Sequence, residues 1–259
     1  MKKRKNMKYL PVLSACLIIC LIASAGIAAD TNSNSNNDQT EAALYDYNKY
    51  VYIDADAVAK ECGALQQGND PLTQTQWNGD VLKKALKKLE PTLHGDKIVA
   101  VMGHTPSWVL AAIACAAEPN QCYMFSADPN FPGGAPYCPI AKPELGKYKP
   151  EGHVNITFEN DVESKRTFGH FSVINASGNY EDYTPADTLK VGLPDVPIRN
   201  ADIFLNGSAP NPVAATVAKA YKDHCNSLWM KYHEEPVYTC VWSNSPNIKA
   251  GDQTAAALK

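Results

Sequence analysis

The spacing of hydrophobic positions changes several times along the chain, and each change marks an expected element. Tyr50–Ile53 is a short apolar run and predicts a strand. Val81, Leu82, Ala85, Leu86 and Leu89 then recur at helical spacing. A helix is expected from about Asp80, which caps it, to Glu90, with Pro91 ending it. Its other face carries Lys83, Lys84, Lys87 and Lys88 and reads as a solvated side, a polyanion site being the alternative. Ile98–Met102 is continuously apolar between Gly95 and Gly103, as in a strand buried on both faces. Gly103-His104-Thr105-Pro106 turns the chain into a second helix, apolar on every side from Trp108 to Ala117 and therefore buried. A strand over Cys122–Ala127 leads to Asp128-Pro129 and an irregular loop rich in proline and glycine. Val154, Ile156 and Phe158 alternate with polar residues, which predicts a strand with one wet face.

The second half repeats this order. Ile203–Leu205 predicts a strand and Asn206-Gly207-Ser208-Ala209-Pro210 a turn. A long helix is expected from about Pro212 to Tyr232, followed by a strand over Val237–Trp242. At a constant offset of 104 residues, Gly103 meets Gly207, Pro106 meets Pro210, Val109 meets Val213 and Ala114 meets Ala218. After the helix, Glu118-Pro119 resembles Glu235-Pro236, and Cys122 falls beside Cys240 with one residue of slippage. Two alanine-rich helices resemble one another by composition alone, but the glycine and proline matches favour duplication. The expected fold is α/β, with two tandem strand–helix–strand units forming an intramolecular pseudo-dimer. The first unit is assigned to residues 44–160 and a second, degenerate one to 161–259.

Ahead of these units the pattern is different. Lys2, Lys3, Arg4, Lys5 and Lys8 precede an apolar stretch from Leu10 to Ile22, closed by the small residues Ala23-Ser24-Ala25 and Ala28-Ala29. This reads as a signal peptide over residues 1–29, with an uncleaved anchor as the alternative. Residues 30–43 form a polar, flexible leader. The expected location is secreted or periplasmic, with no membrane span after cleavage. Removing those five bases from the 24 leaves 19 against 27 acids, a net charge of −8. Such a chain has no general attraction to nucleic acid. The expected partner is a small anionic ligand or an envelope or extracellular partner.

Of eight cysteines, Cys16 and Cys20 leave with the signal. The remaining even number in an oxidising compartment implies disulfides. Cys225, midway along the long predicted helix, is expected to pair with Cys240 on the returning strand. The repeat suggests the same bond for Cys115 and Cys122, leaving Cys62 and Cys138 to pair or to stay free. No C-x-x-C favours a zinc ribbon or a redox dithiol.

A glycine turn feeding a helix N-terminus presents N–H groups and the positive end of a helix dipole, which suit an anion. The candidate ligand-binding residues are Gly103, His104, Thr105 and Ser107 in the first unit and Gly207 and Ser208 in the second. A plain structural turn is the other reading of both loops. Asp128 ends a strand, where a carboxylate can bind a metal, act as an acid or base, or cap the following turn.

The segment from Asp96 to about Phe158 resembles the small CRISPR-associated ring nucleases that degrade cyclic tetra-adenylate. Carrying the resemblance are Gly103-x-x-Pro106-x-Trp108, the buried helix, the strand ending in Asp128-Pro129, and Glu151-Gly152-His153-Val154. It implies a small α/β domain that dimerises around its ligand, with Asp128 as the acidic active-site residue, the Gly103 turn as a phosphate contact, and manganese as cofactor. The family has a histidine shortly before that aspartate, where this chain has Glu118-Pro119-Asn120-Gln121. Its messenger is also cytoplasmic, whereas this chain reads as exported. The expected function is therefore ligand or partner binding by a disulfide-stabilised, ring-nuclease-like protein, with no catalysis and no cofactor. The alternative is a manganese-dependent phosphodiesterase using Asp128 with His104 or His153.

Overall fold

The computed structural model describes residues 45–66, 75–126, 136–146, 154–173, 192–231 and 237–255. The expected signal peptide and leader lie outside these residues. The described chain is a mixed α/β fold of two principal sheets and four α-helices. No helix among the described residues is long and apolar enough to cross a membrane.

The first sheet has the order β1 (Tyr50–Asp54), β4 (Ile98–Met102), β5 (Cys122–Phe125), β6 (Tyr137–Ile140). β1, β4 and β5 run parallel, and β6 closes the edge antiparallel. β4 is central, and its Val99, Ala100 and Val101 are buried, as its unbroken apolar run demands. β2 (Leu65–Gln66) and β3 (Thr75–Gln76) form a small separate ribbon. Helix α1 (Ala55–Glu61), absent from the sequence reading, starts where Asp54 accepts a hydrogen bond from the Ala57 N–H at 3.0 Å. Helix α2 spans Gly79–Leu93, longer at both ends than expected. Asn78, not Asp80, caps it, accepting from the Val81 N–H at 2.9 Å. Pro91 sits inside the last turn and does not end it. The bond that proline forfeits would fall on the carbonyl of exposed Lys87, which water can serve, while the extra turn buries Leu93. On the lysine face, Lys83 pairs with Asp252 at 2.9 Å and Lys88 with Glu61.

The second sheet has the order β12-β11-β10-β9-β8-β7. Its strands are β7 (Val154–Asp161), β8 (Arg166–Val173), β9 (Asp202–Ser208), β10 (Ser227–Lys231), β11 (Tyr238–Ser243) and β12 (Gln253–Thr254). β7, placed by sequence at the end of the first unit, hydrogen-bonds into this sheet through a hairpin with β8. The expected long second helix is corrected. α4 runs only Asn211–Tyr221, a 3-10 turn covers Lys222–His224, and Ser227–Lys231 is a strand. Leu228 and Met230 face the main core while Trp229 packs with Phe204 and Tyr238 on the opposite face, a period of two.

The register of the repeat changes accordingly. The offset of 104 holds from β4 to β9 and from α3 (Ser107–Ala116) to α4, whose N-caps are Pro106 and Pro210. β8, β9 and β10 are parallel with β11 antiparallel, the same order of pairing as β1, β4, β5 and β6. By pairing order, the strand of Cys122 corresponds to β10, and not to the strand of Cys240.

Helices α3 and α4 lie side by side, with α3 also against β11 and α4 against β6. Residues Val109–Ala114 and Ala215, Val217 and Ala218 have no exposed surface. Small alanines let the two helices approach closely, while Trp108, Leu110 and Ile113 each contribute about 1.5–3 kcal/mol by burial.

Gly103 and Gly207 are not at equivalent turns. Gly103 ends β4 with φ +92°, whereas Gly207 lies within β9 opposite Phe171. A Cβ on Gly207 would stand 2.1 Å from the Phe171 carbonyl oxygen. Gly207→Ala is therefore expected to lose about 1–3 kcal/mol or more of stability by strand displacement, read as a lower urea midpoint. An unchanged midpoint would show that β8 and β9 separate at no cost.

Candidate functional site

Gly103, His104, Thr105 and Ser107 lie at one end of the α3–α4 pair. The left-handed backbone of Gly103 brings the chain against α1, where a Cβ would lie 2.8 Å from Asp56 Oδ2. Asp56 Oδ2 accepts from the His104 N–H at 2.9 Å, and Asp56 Oδ1 accepts from Thr75 Oγ1 at 2.7 Å. The imidazole Nδ1 of His104 stands 3.6 Å from the same carboxylate, and its side chain is 71 % exposed. Thr105 is buried, and its carbonyl accepts from Asn211 Nδ2 at 2.6 Å. That bond joins the N-terminus of α4 to the turn before α3. Ser107 opens α3 and is buried. Neither helix has a side-chain cap, because Pro106 and Pro210 occupy the cap positions. The two helix N-termini thus lie on one face, with the Ser107 and Trp108 N–H groups at α3 but only that of Asn211 at α4, where Pro212 has none and Val213 donates to the Pro210 carbonyl.

The other expected members are strand residues or lie outside the described residues. Gly207 is a strand residue and offers no turn, and Ser208 closes β9 opposite Ser172. Asp128 and His153 lie outside the described residues, as does Glu151. Among the described residues, no three or more His, Cys, Asp or Glu side chains gather as a metal site. Asp56 was missed from sequence because its role depends on α1 being next to the Gly103 turn.

The opposite end of the same helix pair holds a charge cluster and a cavity of about 610 Å3. Glu118, just past α3, meets three lysines. Its Oε1 is 3.6 Å from Lys219 Nζ, and its Oε2 is 2.5 Å from Lys222 Nζ and 3.3 Å from Lys142 Nζ. Lys219 and Lys222 are buried, at 4 % and 6 % exposure. Lys222 also donates to the Cys115 carbonyl at 3.4 Å and lies over the Trp242 ring at 5.6 Å. Lys142 donates to Asp223 at 2.5 Å. Burial works against a charged Lys142, yet Asp223 and Glu118 outweigh it and hold its ammonium above the usual lysine value. Burial alone would raise Asp223, but the bond from Lys142 and the charge of Lys222 take it below the usual carboxylate range. The one sequence signal for this cluster was Lys219, a charge set in an otherwise apolar run of α4 where the first unit has Cys115.

All six cysteines among the described residues are buried, and none is in a disulfide in this structure. Cys225 is not on a helix: it precedes β10, and its Sγ donates to the Lys222 carbonyl at 3.4 Å. The helix-to-strand geometry expected for Cys225 and Cys240 is absent for that reason. Burial pushes the thiols of Cys115, Cys122 and Cys240 up to about 12. Burial also raises Cys225, with nearby Cys115 and Cys240 adding to it.

Comparison with models of known families and with characterised proteins gives no match to this chain.

Proposed function

We propose that this chain is an exported binding protein of two tandem α/β units, holding a phosphate-bearing anion across the paired N-termini of α3 and α4 without turning it over. The observation that carries this reading is the Asn211 Nδ2 bond to the Thr105 carbonyl, 2.6 Å long, which brings two uncapped helix ends onto one face. Both ends contribute partial positive charge, with the Ser107 and Trp108 N–H groups at α3 and that of Asn211 at α4, and anions favour that setting. His104, exposed and anchored through its backbone on Asp56, adds a donor at the rim. The like order of strand pairing in the two sheets supports the pseudo-dimer. In the ring nucleases that residues 96–158 resemble, the ligand likewise lies between two such units.

The test is calorimetric titration of the signal-free protein with cyclic tetra-adenylate and with inorganic phosphate, followed by chromatography of the nucleotide after incubation with Mn2+. One ligand per chain, recovered intact, is the expected result. Asn211→Leu should weaken it by up to about tenfold, the value of one neutral hydrogen bond lost. Linear products would establish the phosphodiesterase alternative, with Asp128 and His104 as the groups to substitute next. Failure of both probes to bind, or binding indifferent to Asn211→Leu, would overturn the reading.

A further inference from the structure

The cavity at the far end of the α3–α4 pair has a composition of its own. Its charged side is Lys219, Lys142 and Glu118, Asn120 and Gln121 add polar groups, and its apolar wall includes Tyr123, Pro139 and Ile140. Lys219 is the telling residue. Its side chain is 5 % exposed, and its partner, Glu118 Oε1, stands 3.6 Å away, beyond hydrogen-bond reach. An ammonium carries three donors, and burying it without acceptors is costly. Lys222, by contrast, donates to Glu118 at 2.5 Å and to the Cys115 carbonyl at 3.4 Å.

The local charge points the same way. Lys142, Lys219 and Lys222 face Glu118 and Asp223, so three positive charges meet two negative ones. One more negative charge, at Lys219, would balance the cluster and supply the missing acceptors. A volume of about 610 Å3 is in the range of small-molecule sites, and the apolar wall gives a ligand's body a place to bury.

We propose that this cavity is a second binding site, separate from the helix N-termini, for a small organic monocarboxylate with an apolar body. The carboxylate sits between Lys219 and Lys142, and the body lies along Tyr123, Pro139 and Ile140. A phosphate dianion would overshoot the single surplus charge and leave the apolar wall bare.

Benzoate, its neutral isostere benzamide, and inorganic phosphate serve as probes in calorimetric titrations of the signal-free protein at neutral pH. Benzoate should saturate at one per chain, at least about tenfold more tightly than benzamide or than phosphate at this site, the discrimination expected of a charge-assisted pair. Lys219→Met should weaken benzoate by about tenfold and Lys142→Gln by several-fold, while Lys88→Gln on α2 leaves it unchanged. Should Lys219→Met fail to fold, Lys142→Gln and the benzoate-to-benzamide ratio decide the matter. Absent or non-saturable benzoate binding, equal binding of benzamide, or binding undiminished in the lysine variants overturns the proposal. Asn211→Leu must leave benzoate binding intact, which separates this site from the one at the helix N-termini.

Discussion

Glu118→Ala is expected to destabilise the protein by about 3–5 kcal/mol, because it strips the counter-charge from ammonium groups that remain buried. Glu118 touches Lys142, Lys219 and Lys222 together, and the last two are almost wholly out of water. The lysines themselves suit their place, since cations near the end of α4 meet the negative pole of its dipole. Removing the acid leaves them facing one another. Urea denaturation measures the loss. A double-mutant cycle with Lys222→Met isolates the pair, and a coupling of about 1–3 kcal/mol is expected for groups in direct contact. A Glu118→Ala midpoint within about 0.5 kcal/mol of the parent would show the cluster to be a surface network after all.

The second large effect lies at alkaline pH. Cys115, Cys122 and Cys240 hold their protons in the folded protein to about pH 12, against an ordinary thiol value of 9.0. Between those values the unfolded chain binds fewer protons than the folded one, so stability falls as pH rises and is intact below pH 9. Each such thiol removes about 1.4 kcal/mol per pH unit in that window, so three remove about 4 kcal/mol per unit. Cys225 acts in the same direction. Urea midpoints at pH 8, 9 and 10, with and without reductant, measure this directly. Reduced protein should weaken steeply from pH 9. Oxidised protein with these sulfurs in disulfides has no thiol to titrate and should lack the steep component. A shallow, identical profile in both samples would contradict buried thiols as the state of the reduced chain.

Some of this was legible in the sequence because one interaction dominated locally. β4 and α3 were readable from unbroken apolar runs, since burial on all sides leaves no polar residue to confuse the period. The helix expected over Pro212–Tyr232 runs past the end of α4 because Leu228, Trp229 and Met230 are all buried in β10, and two buried faces of a strand produce the same apolar density as a helix. β8 escaped notice because its buried positions include Thr167 and Gly169, whose small or polar side chains hide an alternation that the fold nevertheless uses. The Gly103 turn was found, but its anchor Asp56 is distant in sequence and adjacent only once α1 packs. The lysine cluster needed even more: Glu118, Lys142 and Lys219 come from three segments, and no spacing rule relates them.

The crossed packing of the two helices carries a consequence for how this molecule holds together. α3 belongs by connectivity to the first sheet yet rests on β11, and α4 belongs to the second yet rests on β6. Each sheet therefore borrows part of its cover from the other half of the chain. Cut apart, either half would expose a helix face and a sheet face that had been mutually sealed, so neither fragment inherits a finished core. The two halves are bound to melt as one cooperative unit. A lesion in one half therefore lowers the stability of the other.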